Sequence, residues 1–499
     1  MRTDLSVILN LHNETEFLKR TFASLRQAAA YASAQGITIE LVVVLDNSPA
    51  AARDWVQSYP YVEYAKFQIV EVDNRSLGLS RNAGISAASG DYIATADADD
   101  LVSYNFFSAL YDTARAEGPD SIVCAQHACS FGDASYWRVY SGSDVISPIA
   151  LFGGNPFASR ILAHRSVFEK IPYQDSPNEV SAFEDWHFNC EAIASGYRYC
   201  IAPDAILFYR QRADSIMGRS RNYIMRYSRL FSLNLYEKYC DAANHNIAQT
   251  TNSDSAGLPG VRDLLSSALV TELVLAAGEI DPAINLERIA TAPVGYARTT
   301  TISPGCAYYE CVQHIHDKVF TDVFVMSYDG VNLAGQKLLA IARRQIADDP
   351  QRRILLIQGM QNLPDAEILQ SDQITVVNLY ETCQKWHEAQ DDLLALRLIQ
   401  TVGKHATLHL DAGSLTFRVF RQFSAALENG SRFYYFRQLL TEVDTLSDSD
   451  AFNFLSECSG CIESILVDNP KAIEFLDARL QLHAGQRIEL MPDVIEFSA

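Results

Sequence analysis

The chain has 499 residues, of which 48% are hydrophobic and 20% charged, a composition typical of a globular protein with more than one domain. Its 61 acidic and 40 basic residues give a formal net charge of −21. That charge argues against non-specific nucleic-acid binding and against a polybasic membrane anchor. No apolar run is long enough to predict a membrane-spanning helix, and we expect no targeting segment. We therefore expect a cytoplasmic protein, with peripheral association at the inner face of a membrane left open.

The first 100 residues alternate between strand and helix patterns. Leu5 to Leu9 predicts a first strand, and apolar positions near the helical period predict a helix from Glu14 to Ala34. The continuous apolar run Ile39 to Leu45 is typical of a strand buried on both faces of a parallel sheet. The next elements are a strand, a short helix and a strand at Phe67 to Val72, Leu79 to Ala88 and Asp91 to Ala96. This alternation predicts an open α/β sheet with right-handed crossovers.

An acidic tetrad, Asp97-Ala98-Asp99-Asp100, follows the last of these strands. Its three carboxylates repel one another, and a hard divalent cation such as Mg²⁺ or Mn²⁺ is a natural partner for them. The alternative is an acidic turn, because Asp is a good turn former. Asp46 follows another strand of the predicted sheet. Ligands of such sheets bind beyond the carboxyl ends of the strands, so we expect Asp46 and Asp97 to face one crevice.

Three arginines are candidates for binding a phosphate. Arg81 lies at the start of the helix that follows Gly78, where it could form bidentate hydrogen bonds to a phosphate or a base edge. Arg210 and Arg212 come shortly after the predicted strand Ala205 to Phe208 and suit a clamp for a diphosphate or an acceptor. The alternatives are a surface ion pair for Arg81 and a solvated basic turn for the other two.

Phe183-Glu184-Asp185-Trp186 is the second acidic feature. Ser181 to Glu184 fits a capping box, which gives Glu184 a structural role at a helix start. Asp185 lies off the apolar stripe of that helix, and a carboxylate held at a helix start and facing a crevice can be a general base. The alternative is a carboxylate that only stabilises the helix dipole.

The remainder of the chain predicts a linker region and a second α/β unit. Tyr223 to Asn244 and Val261 to Gly278 have helical patterns, and Thr250 to Gly260 has linker composition. From about Phe320 the alternation resumes, with strands at Val323–Met326, Arg353–Ile357, Ile374–Leu379, Ala406–Leu410, Ser464–Asp468 and Arg487–Leu490. We predict an α/β domain over residues 1–230, a helical linker region over 231–290 and a second Rossmann-like α/β domain over 291–499.

Taken in order, the motifs of the first domain resemble those of the inverting glycosyltransferases of family 2, over about residues 4–230. Leu45-Asp46-Asn47-Ser48 is similar to that family's acidic turn, and Asn74 to Gly84 is similar to its Gly-Leu-x-x-Arg-Asn-x-Gly element. Asp97-Ala98-Asp99 is similar to its D-x-D metal motif, and Glu184-Asp185-Trp186 to its E-D base motif. The resemblance implies the GT-A fold, which is that of a nucleotide-diphospho-sugar transferase with a Rossmann-like mixed sheet.

The resemblance also implies a role for each matching residue. Asp46, Arg81 and Asp97 would contact the nucleotide part of the donor. Asp99 would be the main protein ligand of Mn²⁺ or Mg²⁺, which bridges the donor diphosphate, and Asp185 would be the base. The expected activity is hexosyl or deoxyhexosyl transfer from a nucleotide-diphosphate sugar to a glycan or lipid-linked glycan, in the synthesis of a bacterial surface polysaccharide such as an O-antigen or capsule.

Two departures from the family pattern leave the nucleotide base open. Leu45 stands where the family often has the first of two adjacent Asp residues. The loop after the first strand is Asn10-Leu11-His12-Asn13, where the family usually has Pro and Tyr. Both departures lie near the expected base pocket.

Residues 320–495 resemble, more weakly, the N-terminal half of a GT-B glycosyltransferase. Ile465 to Leu476 and Arg487 to Pro492 carry that resemblance. In that fold the N-terminal half usually holds the acceptor and the C-terminal half binds the donor, and the chain ends at Ala499, where the latter would begin. We expect either a shortened form of a longer multi-domain transferase, which we favour, or a docking or acceptor-holding module.

Two alternatives to sugar transfer stay open. A nucleotidyltransferase of the same fold would usually carry a Gly-rich phosphate loop with a Lys near its first strand, and Leu9 to Lys19 shows no such loop. A non-catalytic sugar-nucleotide-binding scaffold would be expected to lack Asp99 or Asp185, and both are present.

Overall fold

The computed structural model describes residues 3–175, 183–213, 227–232, 234–240, 258–297, 301–313, 315, 318–327, 333–360, 371–386, 388–436 and 450–491. The chain divides into two compact units. The first contains the described residues of 1–221, 228–230 and 241–301, and the second contains those of 222–227, 231–240 and 302–499. In the described part of the chain, no helix is long and apolar enough to cross a membrane.

A mixed sheet forms the centre of the first unit. Its described strands are β1 Thr3–Leu11, β2 Ile39–Asp46, β3 Lys66–Val72, β4 Gly90–Asp97, β5 Leu101–Val102, β6 Ser121–Gly132, β7 Trp137–Val139, β8 Ile161–His164, β9 Arg198–Gln211 and β10 Val294–Tyr296. The order is β10-β7-β6-β8-β4-β1-β2-β3, and β9 pairs with β5 and β6. Strands β4, β1, β2 and β3 are parallel to one another, whereas β8 is antiparallel to both β4 and β6. The predicted Rossmann-like mixed sheet is confirmed.

Helices cover this sheet, and β1 and β2 are buried at every position except Asp4. The described helices of the unit are α1 Leu18–Ala34, α2 Ala50–Ser58, α3 Leu77–Ala87, α4 Phe106–Glu117, α5 Arg165–Lys170, α6 Glu184–Ala194, α7 Val261–Leu264, α8 Ala268–Ile280 and α9 Leu286–Ile289. Helix α3 packs very close to the sheet, because a Cβ atom on Gly84 would lie 2.5 Å from Cγ2 of Ile8 and 2.7 Å from Cγ2 of Val44. Glycine at this position therefore sets the depth of the helix that carries Arg81.

Residues 261–297 belong to the first unit and pack against its sheet. The sequence had placed them in a linker and at the start of the second domain. Val270 and Leu273 of α8 share a buried cluster with Phe131 and Trp137 of the sheet, and β10 pairs in parallel with β7. The observed boundaries of the units thus differ from the predicted ones at residues 230 and 290. Most of the helix predicted for 223–244 and of the linker predicted for 250–260 lies outside the described residues.

The second unit is a doubly wound parallel sheet. Its described strands are β11 Asp322–Met326, β12 Ile354–Gln358, β13 Ile374–Asn378, β14 Thr407–Asp411, β15 Arg432–Phe436, β16 Ser464–Val467 and β17 Arg487–Leu490. They pair in the order β13-β12-β11-β14-β15-β16-β17, all in parallel. Helices α10 Ser303–Gln313, α11 Leu333–Asp348, α12 Leu379–Lys385, α13 Asp391–Thr401, α14 Ser414–Phe423, α15 Asp450–Cys458 and α16 Pro470–Asp477 accompany them. This strand order is that of Rossmann-like sheets, which confirms the predicted fold class.

Candidate functional site

The carboxyl ends of β1, β2 and β4 lie at one edge of the first sheet and carry two of the predicted site residues. Strand β1 lies between β4 and β2, with Asn10 in register with Asp97 and Leu11 in register with Leu45. Asp46, the next residue after Leu45, therefore ends its strand at the same edge as Asp97.

Asp46 is buried and organises the loop that leads to α3. Its carboxylate accepts hydrogen bonds from the backbone N–H groups of Asn74 at 2.8 Å and Arg75 at 3.0 Å, and from the Ser80 hydroxyl at 2.7 Å. Asn47 and Arg75 both adopt the left-handed backbone region, with φ of 49° and 52°. This sharply turned loop depends on the Asp46 carboxylate, because few residues hold positive φ without such support.

Arg81 joins the acidic tetrad to the second acidic feature. Its side chain is 1% exposed, with Nη2 3.2 Å from Oδ1 of Asp97 and Nη1 2.5 Å from Oε1 of Glu184. Its guanidinium also lies 5.3 Å from the centre of the Tyr173 ring. Burial opposes the charge of Arg81, yet Asp97 and Glu184 raise the pKa of Arg81 above its ordinary value. Arg81 thus neutralises two carboxylates inside the site.

Glu184 makes this ion pair at the start of α6, where the sequence predicted a capping box. The predicted box depends on Ser181, which lies outside the described residues. The N-cap residue of α6 is Phe183, whose φ of 95° places it in the left-handed region. Trp186 anchors the first turn, since its Nε1 donates to the carbonyl oxygen of Leu151 at 2.9 Å. A strained N-cap residue held by its surroundings is common where a helix start presents functional side chains.

Arg160 is a site residue that the sequence did not indicate. Its Nη2 lies 2.7 Å from Oδ2 of Asp97 and also pairs with Oδ2 of Asp100. Although burial opposes ionisation, Arg160 and Arg81 hold the pKa of Asp97 below its ordinary value. Burial raises the pKa of Asp100 to about 7, against the attraction of Arg160. No motif around Arg160 marks it, because its partners are remote in sequence.

Asp99 is the least enclosed carboxylate of the tetrad and pairs with Arg212. Oδ2 of Asp99 lies 3.1 Å from Nε of Arg212, and Nη2 of Arg212 donates to Glu14 at 3.3 Å. Burial, followed by repulsion from Asp97, raises the pKa of Asp99. The carboxylates of this cluster outnumber the arginine side chains that pair with them. The unbalanced negative charge favours binding of a further cation.

The side chains around Asp99 fit a metal site completed by water and phosphate oxygens, and do not fit a site closed by protein ligands alone. Within the described ranges, no three His, Cys, Asp or Glu side chains are placed to hold a metal ion together. A closed protein cage is therefore absent from that part of the chain. Mg²⁺ and Mn²⁺ are commonly held by one or two carboxylates with water and phosphate oxygens completing the shell. The residues present fit a metal of that kind, and the Asp99 carboxylate is the candidate protein ligand.

Arg210, which the sequence predicted to be part of a phosphate clamp, is instead buried in the interior of the first unit. Its Nε donates to the backbone carbonyl of Asp99 at 2.9 Å, and its Nη2 donates to Oδ2 of Asp281 at 2.6 Å. The guanidinium lies between the rings of Phe17 and Phe131, 4.4 and 4.5 Å from their centres. Arg210 is 7% exposed, and these contacts occupy its guanidinium. Arg212, with 20% of its side chain exposed, is the more accessible of the two.

Asp185 lies at the start of α6 with a chain of side-chain hydrogen bonds behind it. Asn155 Nδ2 donates to Oδ2 of Asp185 at 3.2 Å, Asn189 Nδ2 donates to Oδ1 of Asn155 at 2.9 Å, and the Tyr199 hydroxyl donates to Oδ1 of Asn189. Burial, followed by repulsion from Glu184, raises the pKa of Asp185 to about 6. A carboxylate with that pKa can accept a proton near neutral pH.

Comparison with known proteins shows what the first unit is similar to. Residues 6–177 match the family model described as glycosyl transferase family 2, which confirms the resemblance predicted over residues 4–230. The uncharacterized glycosyltransferase EpsJ of Bacillus subtilis (strain 168) is 25% identical over 223 residues, which cover 42% of this chain and 62% of EpsJ. The succinoglycan biosynthesis protein ExoO of Rhizobium meliloti (strain 1021) is 26% identical over 226 residues, covering 43% of this chain and 62% of ExoO.

A third relative is similar over a shorter region. The cholesterol galactosyltransferase of Borreliella burgdorferi is 32% identical over 87 residues, which cover 17% of this chain and 24% of that protein. Each of these alignments spans less than two thirds of the relative's own length.

Proposed function

Because residues 6–177 match glycosyl transferase family 2, whose fold is GT-A, we propose that the first unit is an inverting, metal-dependent glycosyltransferase. It would move a sugar from a nucleotide-diphosphate donor to a glycan or lipid-linked glycan. The observation that carries the proposal is the connection of the Asp97–Asp99 motif, through Arg81 and Glu184, to Asp185 with its raised pKa.

The proposed reaction is a single displacement at the anomeric carbon. The acceptor oxygen forms the new bond to that carbon as the bond to the leaving diphosphate breaks, and the acceptor proton passes to a carboxylate oxygen of Asp185. Attack from the face opposite to the leaving group gives inversion. A divalent cation held by Asp99 would neutralise charge on the leaving diphosphate. The raised pKa of Asp185 supports its role as the base, because a base works best when its pKa is near the working pH.

The contacts of the remaining candidates refine their proposed roles. Arg212 suits a contact with the donor diphosphate, since it is partly exposed and lies beside Asp99. Asp46 and Arg81 were predicted to contact the nucleotide, but their polar atoms already bind protein groups. We propose that they act on the donor chiefly by holding the loop and the acidic motif in position. Arg210 has no proposed contact with the donor.

The name of one of these relatives favours a role in bacterial glycan synthesis. ExoO is named for succinoglycan biosynthesis, and EpsJ is named as a glycosyltransferase. We propose that the acceptor here is a growing bacterial surface glycan or glycolipid.

Binding and turnover of the full chain test this proposal together. A panel of nucleotide sugars is screened by thermal shift with and without Mn²⁺, because a ligand of the folded state raises the melting temperature. The donor found is then used in transfer assays. Asp185→Asn should keep the donor-induced shift but lose roughly 10²–10⁴-fold in turnover, the usual contribution of a general base. Asp112→Asn, an exposed Asp on α4, is the control and should match the wild type.

Three results would contradict the proposal. The first is near-normal turnover of Asp185→Asn, which would exclude Asp185 as the base. The second is a donor that binds wild-type protein with no transfer to any glycan acceptor, which would favour the scaffold alternative. The third is release of pyrophosphate from a nucleoside triphosphate and a sugar phosphate, which would favour the nucleotidyltransferase alternative.

A further inference from the structure

Asp281 is a buried acid that no motif of the first unit accounts for. It follows α8 and lies outside residues 6–177, which match the family model. Its side chain is 1% exposed, and its Oδ2 accepts a hydrogen bond from Nη2 of Arg210 at 2.6 Å. Its Oδ1 accepts from the backbone N–H of Ala283 at 3.0 Å. The carboxylate is therefore held on both oxygens, and its closest ion-pair partner is the buried guanidinium of Arg210.

Arg210 links this acid to the acidic tetrad in two ways. Its Nε donates to the backbone carbonyl of Asp99 at 2.9 Å, and its own backbone N–H donates to Oδ1 of Asp100 at 2.9 Å. The planar guanidinium lies between Phe17 and Phe131, which leaves it little freedom to turn. Because an Arg fork binds two groups at fixed angles, the position of Asp281 sets the direction in which Nε meets Asp99.

We infer that Asp281 is a positioning residue for the Asp97–Asp99 motif and acts through Arg210. The carbonyl of Asp99 is the main-chain atom next to the Cα that carries the proposed metal-binding carboxylate. Fixing that carbonyl restrains the backbone from which the Asp99 side chain projects. The helical segment of residues 261–297 thereby becomes part of the catalytic unit. The expected effect on metal binding rests on the proposed function. The support that Asp281 gives to the Asp99 backbone through Arg210 does not.

The electrostatics of the pair support a role beyond packing. Arg20 Nη1 is also 3.4 Å from Oδ2 of Asp281, but the Arg20 side chain is 45% exposed. Arg210, with 6% of its side chain exposed, is thus the buried partner that depends on Asp281 for its neutralisation. Loss of the carboxylate charge would leave the buried Arg210 guanidinium without its buried ion-pair partner.

Hydrogen–deuterium exchange of the ligand-free full chain provides the first test. Asp281→Asn keeps the shape of the side chain and removes its charge. The peptide spanning residues 95–105 should exchange several-fold faster in Asp281→Asn than in wild type, because the turn at Asp99 and Asp100 loses its support. Glu279→Gln changes an exposed acid in the last turn of α8, two residues before Asp281. It is the matched control and should leave that peptide unchanged. Unchanged exchange in folded Asp281→Asn would overturn the inference.

Metal dependence provides the second test. The Mn²⁺ concentration for half-maximal transfer should rise several-fold in Asp281→Asn and stay unchanged in Glu279→Gln. A merely structural role would lower the melting temperature without changing this concentration, and that result would overturn the inference. If the wild type shows no transfer, the proposed function fails, and the exchange experiment still decides the position of Asp99.

A second variant covers the case in which Asp281→Asn does not fold. Arg210→Lys keeps a positive charge beside Asp281, but one ammonium group cannot reach both Asp281 and the Asp99 carbonyl as the guanidinium does. Arg210→Lys should also speed hydrogen–deuterium exchange of residues 95–105, while Arg20→Lys should not. Equal exchange in the wild type, Arg210→Lys and Arg20→Lys would contradict the inference.

Discussion

Asn155 donates a hydrogen bond from Nδ2 to Oδ2 of Asp185, although the two residues are 30 positions apart. The orientation of the Asn155 amide is fixed by a second hydrogen bond, because its Oδ1 accepts from Nδ2 of Asn189. The NH₂ group must therefore face Asp185. A neutral donor aimed at a carboxylate favours the ionised form and fixes its direction.

We expect the wild-type kcat/KM to fall as the pH falls through about 6. Burial and Glu184 raise the pKa of Asp185 to about 6, so the carboxylate is protonated below that pH and cannot accept the acceptor proton. Above that pH it is ionised and active. Initial transfer rates between pH 5 and 8 measure this limb, and a flat profile over that range would exclude Asp185 as the titrating base.

Asn155→Ala should move the acid-side fall of kcat/KM to higher pH. Loss of the Asn155 amide removes a hydrogen bond that stabilises the charged form of Asp185, and this raises the pKa of that carboxyl further. The measurement is the pH dependence of kcat/KM for Asn155→Ala beside Asn453→Ala, an exposed control on α15. A lower rate with an unmoved limb would mean that Asn155 supports the fold but not the protonation state.

Removal of divalent metal should abolish transfer, and Mn²⁺ or Mg²⁺ should restore it. Asp99→Ala should lose activity that added metal does not restore, because the proposed protein ligand is gone. Asp112→Ala, which changes an exposed acid, should behave as the wild type. Transfer assays over a Mn²⁺ titration after EDTA treatment decide this, and full activity in EDTA would refute the metal requirement.

Arg81→Met should destabilise the protein by about 3–5 kcal/mol, the usual cost of breaking a buried ion pair. The change leaves the buried carboxylates of Asp97 and Glu184 without the guanidinium between them. Arg75→Met is the control, because the Arg75 side chain is 71% exposed and pairs with an exposed Asp73. Urea denaturation of both variants provides the comparison. Similar stabilities would contradict the expected cost of removing the Arg81 guanidinium.

In the second unit, stability should fall as the pH falls below about 6.5. Burial lowers the pKa of His409, whose Nε2 lies 2.9 Å from Asp322 and whose Nδ1 lies 2.7 Å from the Tyr435 hydroxyl. The unfolded chain, with an ordinary His pKa near 6.5, then binds more protons than the folded one, so acid favours unfolding.

Thermal unfolding at pH 7.5 and 5.5 measures this effect. The loss of melting temperature between the two pH values should be smaller in His409→Gln than in wild type. His483→Gln, which changes an exposed His, should leave the loss unchanged. An equal loss in all three proteins would place the acid sensitivity elsewhere.

Local patterns were sufficient for most of the strands. The run Ile39 to Leu45 predicted β2 to within one residue, because a strand enclosed by helices on both faces must be apolar throughout. Strand β15, Arg432–Phe436, was missed in spite of its aromatic residues, and so the second sheet has one strand more than expected among the described residues. The segment 261–297 was assigned to a linker up to residue 290 and to the second domain from 291, because its own pattern cannot show which surface it covers.

The sequence by itself determined the fold class and the position of the acidic motifs, because hydrophobic periodicity and turn chemistry act between near neighbours. Only the tertiary structure decided the partners of the charged residues. Arg81 meets Glu184 across 103 positions, and Arg210 meets Asp281 across 71. A buried charge must be neutralised by whatever the fold brings beside it, and that choice depends on the path of the whole chain.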